Sequence, residues 1–319
     1  MRSFTTFLLA MLANEISALP SSPKLSGTQL DYYHIAKRQN EAAVELGLGD
    51  PDVLQFALTL EHLEEAFYRE ATTKFPDAQS MGLEQSQFDA IAQIGSTESA
   101  HVVLLQGALA QAGVAPVRPC EYDFSAALTD PATVLATGSV LENVGVAAYL
   151  GASTLVADAK ILSVAASILT IEARHQSVLR VFTQAEPVPQ AFDAALGLRS
   201  VFSLAAPFIK SCPDGSNLVV EAFPTLAMDD GQDIAALHAS GAKVKVTSEA
   251  AGQATHCAFT SGGVSTGGSV FSEFKEGEGC AIPKQVAGVS YMSLVTSAPL
   301  DGVVTDNIMA AGPIAVTIT

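Results

Sequence analysis

Two copies of one short pattern, Glu-x-x-His, occur in this chain, one in STESAHVV at residues 96–103 and one in LTIEARHQ at residues 169–176. They pair Glu98 with His101 and Glu172 with His175. Because residues three apart share one face of a helix, each pair directs a carboxylate and an imidazole toward the same point. Such side chains, brought together on several helices, bind two metal ions inside helical bundles. The repeated pattern therefore predicts a helical bundle with a metal centre in it.

Two further glutamates complete the pattern. Glu61 and Glu142 lie in separate helical stretches, and each is followed seven residues later by a tyrosine, Tyr68 and Tyr149. Each of the four acids interrupts the apolar face that its helix must turn toward the core. An ionised carboxylate is not stable there without a partner, because its desolvation costs several kcal/mol. The four acids are therefore expected to be neutralised together.

Charge balance indicates two metal ions. Two divalent ions carry four positive charges, which match four glutamates, and two neutral histidines complete the donor set. The predicted metal-binding residues are Glu61, Glu98, His101, Glu142, Glu172 and His175. An oxygen-rich donor set with two imidazoles suits Fe or Mn, and the residues alone do not choose between them.

Helix start and stop signals place these residues in four long helices. Asp50 and Asp130 are predicted to cap helices whose first turns contain Pro51 and Pro131. The predicted helices cover residues 53–72, 83–112, 131–156 and 158–184, with a shorter fifth over residues 190–204. Short links join the first helix to the second and the third to the fourth, while a long, proline-bearing link separates the second from the third. This order predicts a four-helix bundle with one long crossover.

The pattern changes after Cys212. Helical periodicity fades, and short runs rich in Val, Thr and Ser follow at residues 243–247, 255–260, 286–296 and 313–319. Glycine pairs separate several of them. Short runs at this spacing predict a small β-rich, sandwich-like domain, and a partly ordered tail is the alternative. The predicted fold class is therefore α+β.

Composition excludes some partners. The chain has 319 residues, of which 49% are hydrophobic, and a formal net charge of −17. A negative surface repels nucleic acid and anionic lipid, so neither is expected to bind. No internal stretch is predicted to span a membrane, because acids and histidines interrupt the most apolar segments.

The N-terminus has the pattern of a secretory signal. Arg2 precedes an apolar run over residues 4–12, which is too short to span a bilayer, and small residues occur near Ala18. A short core helix is the alternative. In an exported chain, Lys37-Arg38 resembles the cleavage site of kexin-type processing proteases. The predicted domains are a signal peptide (1–18), a propeptide (19–38), the helical bundle (39–212) and the β-rich domain (213–319).

Four cysteines are present, Cys120, Cys212, Cys257 and Cys280, and none lies in a Cys-x-x-Cys pair. An even number in an exported chain favours two disulfides, for which three connectivities are possible. We favour Cys120–Cys212 with Cys257–Cys280, since each bond then stays within one predicted domain.

The order and spacing of the ligands resemble those of the ferritin-like superfamily, including bacterioferritin-type di-iron sites. The stretches LTLEHLEEAFY at residues 58–68 and ENVGVAAYLG at residues 142–151 are similar to a narrower group. These are secreted ferritin-like proteins of fungi linked to stress response and late sexual development, related to plant desiccation-associated proteins. The resemblance covers about residues 40–212.

The resemblance implies a role for each residue of the centre. Glu98 and Glu172 would bridge the two metals, Glu61 and Glu142 would each bind one metal terminally, and His101 and His175 would supply one nitrogen each. Tyr68 and Tyr149 would donate to carboxylates and orient them. The alternative for the two tyrosines is a core position with a satisfied hydroxyl.

Other residues near the pattern are assigned by spacing. The tyrosine seven residues on favours Glu61 as the ligand over its neighbours; Glu65 is then expected beside the ligands, and Glu64 at the surface or an edge. The remaining histidines have no partner pattern and are expected not to bind metal: His34, His62, His238 and His256.

The resemblance, extended to manganese-catalase-like sites, implies an oxidoreductase that acts on peroxide or O₂ in stress or development. Its expected partners are a small-molecule oxidant or metal ions. The alternative is a non-catalytic secreted or cell-wall protein that keeps the scaffold and contacts a wall component through its β-rich domain. Metal scavenging at the cell surface is a third possibility. A C-terminal extension and export both argue against a storage shell.

Overall fold

The computed structural model describes residues 47–215, 220–229, 242–262 and 268–318. The predicted signal peptide and propeptide, with His34 and His238, lie outside the described residues. Helices occupy the first part of the described chain, and small antiparallel sheets follow. The α+β class predicted from the sequence is confirmed.

The described residues form six α-helices. They are α1 (Asp50–Lys74), α2 (Ala78–Met81), α3 (Gln85–Gln111), α4 (Pro131–Ala152), α5 (Ala159–Phe182) and α6 (Leu198–Ala205). The four long ones, α1, α3, α4 and α5, agree with the predicted helices to within a few residues at each end. The short α6 begins later than the predicted fifth helix.

Aspartates organise the starts of the long helices. The Asp130 carboxylate accepts a hydrogen bond from the backbone N–H of Thr133 at 3.0 Å, which caps α4 as predicted. Asp158 caps α5 in the same way. The predicted cap at Asp50 is wrong: this residue lies within the first turn of α1, and its carboxylate accepts the backbone N–H groups of Ala157 and Asp158. Asp50 therefore joins the start of α1 to the start of α5.

The long helices pack as two antiparallel hairpins, α1 with α3 and α4 with α5. Helix α1 also lies antiparallel to α4, since Tyr68 reaches Glu142 while Tyr149 reaches back to Glu61. Because α3 and α4 are each antiparallel to α1, they point the same way. The link between them must then return along the length of the bundle, which is the predicted long crossover.

Ten short strands are described. They are β1 (Glu121–Tyr122), β2 (Ile209–Ser211), β3 (Ala227–Met228), β4 (Lys243–Val244), β5 (Val246–Thr247), β6 (His256–Thr260), β7 (Ser269–Glu273), β8 (Cys280–Ala281), β9 (Gly288–Val295) and β10 (Met309–Ile318). Strands β10, β9, β6 and β7 form, in that order, one antiparallel sheet. The remaining pairs, β1–β2, β3–β5 and β4–β8, are two-stranded.

The four-stranded sheet packs directly on the helical bundle. Every residue of β9 is buried, and successive side chains point to opposite faces. Met292 and Leu294 face the core of the C-terminal region. Tyr291, on the other face, packs with Val201 of α6 and donates a hydrogen bond to Asn143 Oδ1 on α4 at 2.7 Å. Within the described residues, helices cover the face of the sheet that contains Tyr291. A β-sandwich would have a second sheet in that place.

Two disulfides are present, Cys120–Cys212 and Cys257–Cys280, which is the pairing favoured from the sequence. The first lies beside the β1–β2 ladder and joins the crossover to the chain after α6. The second lies in the core of the C-terminal region. Each disulfide closes a loop around one part of the fold.

Helix α4 is the one helix of the described ranges that is long and apolar enough to cross a membrane. However, 78% of its most apolar stretch is buried inside the protein, as is typical of a helix in the core of a bundle. Its apolar character is explained by packing against α1, α5, α6 and the sheet.

Candidate metal centre

Side chains from the four long helices meet near the middle of the bundle. The cluster contains all six residues predicted to bind metal: Glu61, Glu98, His101, Glu142, Glu172 and His175. All six are buried, and Glu98, Glu142 and Glu172 are 0% exposed. They lie where the apolar faces of the helices converge, because each acid occupies a core position of its own helix.

The cluster divides into two overlapping groups. The first contains Glu61, Glu98, His101 and Glu172, and the second contains Glu98, Glu142, Glu172 and His175. Within each group the potential ligand atoms all lie within 4.8 Å of one another. Glu98 and Glu172 belong to both groups. This arrangement suits two metal ions that share two carboxylates.

Both histidines turn Nδ1 toward the carboxylates. His101 Nδ1 is 3.1 Å from Glu61 Oε2, 3.0 Å from Glu98 Oε2 and 3.2 Å from Glu172 Oε1. His175 Nδ1 is 2.8 Å from Glu98 Oε1 and 3.1 Å from Glu142 Oε2. The ring centroids of His101 and His175 are 6.4 Å apart, so each imidazole serves one group.

Two tyrosine hydroxyls hold the outer carboxylates. Tyr149 on α4 donates to Glu61 Oε1 on α1 at 2.5 Å. Tyr68 on α1 donates to Glu142 Oε1 on α4. Each tyrosine therefore orients the glutamate of the neighbouring helix, which leaves the second oxygen of that glutamate directed at a histidine.

The carboxyl groups have strongly perturbed pKa values. Burial raises the pKa of Glu61 to about 7, against the opposing hydrogen bond from His101. Burial, followed by the charge of Glu142, raises the pKa of Glu172 well above its usual range. Burial alone would also raise the pKa of Glu98, but hydrogen bonds from His101 and His175 outweigh it and lower that pKa to about 2. The shared glutamates thus differ in how firmly they hold a proton.

The pKa values of the two imidazoles are raised, although burial by itself would lower them. Burial favours the neutral ring, but the hydrogen bonds to carboxylates led by Glu172 raise the pKa of His101 to about 12. Contacts with Glu142 and then Glu98 likewise raise the pKa of His175 to about 9, against the effect of burial. The cluster therefore attracts positive charge strongly, whether as protons or as metal ions.

The orphaned oxygens of the cluster fit a pair of cations. Glu98 Oε1 and both carboxylate oxygens of Glu172 are buried and accept no well-aligned hydrogen bond, although imidazole nitrogens lie near two of them. A buried polar atom without a partner costs about 1–3 kcal/mol. These oxygens belong to the two glutamates that both groups share. The donor set therefore fits metal ions that prefer oxygen and imidazole ligands.

Two neighbours of Glu61 are placed differently from expectation. Glu64 is only 4% exposed and lies close to Glu172, so its predicted surface position is wrong. Burial, followed by the charge of Glu172, raises the pKa of Glu64 well above its usual range. Glu65, expected beside the ligands, is partly exposed and pairs with Arg69 at 3.1 Å. The i,i+3 spacing from Glu61 was the signal that could have identified Glu64.

Two other histidines lie outside the cluster. His62 is buried, and its Nε2 donates to the carbonyl of Val117 at 3.3 Å. Burial lowers the pKa of this imidazole, in contrast to the two histidines of the centre. His256, on β6, contacts the hydroxyl of Thr255.

Residues 49–185 match the family model of the ferritin-like domain. That range contains all four long helices and all six clustered residues. The chain therefore contains a ferritin-like domain with a buried Glu/His cluster that could hold metal. No match was found among curated proteins.

Proposed function

We propose that the centre binds two metal ions, Fe or Mn, and that the protein is a secreted oxidoreductase acting on peroxide or O₂. The observation that carries the proposal is the pair of overlapping donor groups that share Glu98 and Glu172. Glu61 with His101 would complete one metal position, and Glu142 with His175 the other. When bound, the metal pair supplies the redox change by which one peroxide is reduced to water and a second is oxidised to O₂.

The protein around the centre would select small, neutral substrates. One cavity of about 30 Å³ borders Tyr149 and is otherwise almost wholly apolar. A second, of about 40 Å³, borders Glu64 and Gly145 between α1, α4 and α6. Since one water needs about 10–15 Å³, each has room for little more than a molecule of peroxide size. Their apolar walls limit bulk water near the centre.

Two buried tyrosines would orient the carboxylates of the outer glutamates, Glu61 and Glu142. Tyr68 and Tyr149 fix one oxygen of each outer glutamate, so that the other oxygen stays directed into the centre. Burial raises the pKa of both hydroxyls well above the usual range, which keeps them protonated as donors. Their role in the proposal is to orient the carboxylates, not to react.

The proposed location is extracellular or at the cell wall. Two disulfides are compatible with an oxidising compartment. The net charge of −17 supports solubility there. The narrower similarity to secreted fungal stress and developmental proteins supports the same location, and so does the signal-like N-terminus.

Elemental analysis of the mature protein tests the metal centre directly. After expression with Fe and Mn, wild type should contain about two metals per chain, and the His101→Ala/His175→Ala variant far fewer. Wild type with under about 0.2 metal per chain would overturn the proposal. Oxygen release from peroxide by the loaded protein, lost in Glu98→Ala, tests the activity. His62→Ala, which changes a buried histidine outside the cluster, is the matched control.

One observation favours a second candidate, a non-catalytic secreted protein that keeps the scaffold. The raised pKa values of His101 and His175 allow two imidazolium ions to offset part of the buried negative charge. Protons alone would then hold the cluster together. Loaded protein that contains two metals and releases no oxygen from peroxide would favour this candidate, whereas turnover that Glu98→Ala abolishes would exclude it.

A further inference from the structure

The centre has an approximate internal symmetry that one residue breaks. Glu61 corresponds to Glu142 and Tyr68 to Tyr149, and in both cases the partner lies 81 positions later. The residue 81 positions after Glu64 of α1 is a glycine of α4, Gly145. Glu64 is therefore a carboxylate of α1 that has no counterpart on α4.

Gly145 leaves the space that the Glu64 carboxylate occupies. A Cβ atom at Gly145 would lie 3.2 Å from Glu64 Oε1 and 3.0 Å from Glu172 Oε2. Both oxygens therefore converge on the same small volume beside α4. Glu64 is 4% exposed, so its carboxylate is buried in this space. Glu172 Oε2 is buried without a hydrogen-bond partner.

The contact favours one of the two metal positions. Glu172 Oε1 faces His101, which belongs to the first group. Glu172 Oε2, which shares the space at Gly145 with Glu64 Oε1, is therefore available to the second group, whose other members include Glu142 and His175. Gly145 lies three residues after Glu142 on the same face of α4.

We infer that Glu64 is a fifth carboxylate ligand of the centre, bound at the position of Glu142 and His175, so that the two metal positions are unequal. This inference rests on the proposed metal centre. Five carboxylates carry one negative charge more than two divalent ions offset, so the additional ligand favours a higher charge at the second position.

Glu64 also lines the cavity between α1, α4 and α6, whose wall is otherwise apolar and includes the half-buried Leu60, Leu204 and Phe208.

Metal titration of the chelator-treated full mature chain tests the inference without measuring activity. Mn²⁺ binding followed by calorimetry should resolve two unequal sites in wild type. Glu64→Gln should weaken one site by at least about tenfold and leave the other unchanged. Glu65→Gln is the matched control: it makes the same chemical change at the adjacent, partly exposed residue and should alter the affinity of neither site.

Combination with the histidine variants identifies the position. In His101→Ala, which impairs the first position, adding Glu64→Gln should weaken the remaining tight site about tenfold. In His175→Ala the added change should have little effect. The reverse pattern, or two sites that Glu64→Gln leaves unchanged, would overturn the inference while leaving the metal centre intact. Wild type that binds no Mn²⁺ and no Fe²⁺ would instead overturn the proposed function.

Circular dichroism of each metal-free variant shows whether it is folded before titration. If Glu64→Gln loses its helical signal, Glu64→Asp is used in its place, because it keeps the charge and shortens the side chain. It should weaken the same single site, and normal binding at both sites in a folded Glu64→Asp protein would count against ligation by Glu64.

Discussion

The hydroxyl of Tyr149, on α4, donates a hydrogen bond at 2.5 Å to the carboxylate of Glu61, on α1. The reciprocal bond runs from Tyr68 on α1 to Glu142 on α4. The two bonds cross the same helix interface in opposite directions. They join the two helical hairpins at the level of the cluster, so the geometry of each donor group depends on both hairpins.

Replacing Tyr149 by Phe should weaken one metal position. The change leaves Glu61 Oε1 buried without its donor, which should lower the free energy of unfolding of the metal-free protein by about 1–3 kcal/mol. Because the freed carboxylate is no longer oriented, affinity at that position should fall about 10–100-fold. Urea unfolding and Mn²⁺ titration measure the two effects.

Tyr291→Phe is the matched control for this prediction. It also removes a buried hydroxyl, but one that donates to Asn143, which is not one of the six clustered residues. The free energy of unfolding of Tyr291→Phe should fall, while the affinities of both metal positions stay at the wild-type values. Equal metal affinity in Tyr149→Phe and Tyr291→Phe would show that Tyr149 does not orient a ligand.

The metal-free protein should lose stability as pH rises from about 5 to 9. The pKa of His175 is about 9 in the folded protein, above its ordinary 6.5, so its contribution is full below pH 6.5 and is lost as pH rises through 9. The pKa of Glu61 is about 7, above its ordinary 4.5, so its contribution is lost as pH rises through 7. Each raised pKa corresponds to roughly 3 kcal/mol, so together they should lower the free energy of unfolding by on the order of 6 kcal/mol.

Metal affinity should change with pH in the opposite direction. Metal ions compete with protons for the same side chains, so Mn²⁺ binding should strengthen between pH 5 and 8. Urea midpoints measured with a chelator at pH 5, 7 and 9 test the first trend, and Mn²⁺ titrations over the same range test the second. A urea midpoint that rises with pH in the chelator would contradict the assigned pKa shifts.

Gly151→Ala should destabilise the protein by about 1–3 kcal/mol. A Cβ atom at Gly151, near the end of α4, would overlap the carbonyl of Leu196, whose N–H bonds to Ala147 O at 3.1 Å. Gly107→Ala is the matched control: Gly107 lies on α3 with nothing near its Cβ position, so alanine should stabilise by about 0.5–1 kcal/mol. Thermal unfolding measures the stability of both variants relative to wild type. Equal stability of Gly151→Ala and Gly107→Ala would show that Leu196 does not pack against Gly151.

Tyr291→Ala should destabilise the bundle as well as the sheet. The side chain is 0% exposed and packs with residues of α4 and α6, so its loss should cost about 3–5 kcal/mol. Because one apolar cluster joins the two parts, we expect a single unfolding transition. Far-ultraviolet circular dichroism, dominated by the helices, should shift together with the amide hydrogen exchange of β6 and β9, which reports on the sheet. Helices that keep their wild-type midpoint would show that the sheet unfolds independently.

The clustering of the six Glu and His side chains could be predicted because the pattern is local. Glu98 with His101, and Glu172 with His175, share a helix face through spacing alone. An acid on an apolar face has few stable environments, so burial and clustering of Glu61 and Glu142 followed from the same argument. The long crossover followed from link lengths.

Other features depend on which helix faces which, and spacing within one helix does not contain that information. The tyrosines share a face with the glutamate of their own helix, yet they bond to the glutamate of the other helix. Glu64 is buried because Gly145, on a different helix, leaves room for its carboxylate. Asp50 bonds to a segment more than one hundred residues later.

The sequence by itself determined the four helices, the six clustered donors and the α+β class, because periodicity and desolvation act within each element. Only the tertiary structure decided that the tyrosines cross between helices, that Glu64 joins the cluster, and that β9 packs on the bundle. These depend on contacts between residues far apart in the chain. Their geometry is set when the helices and the sheet pack together.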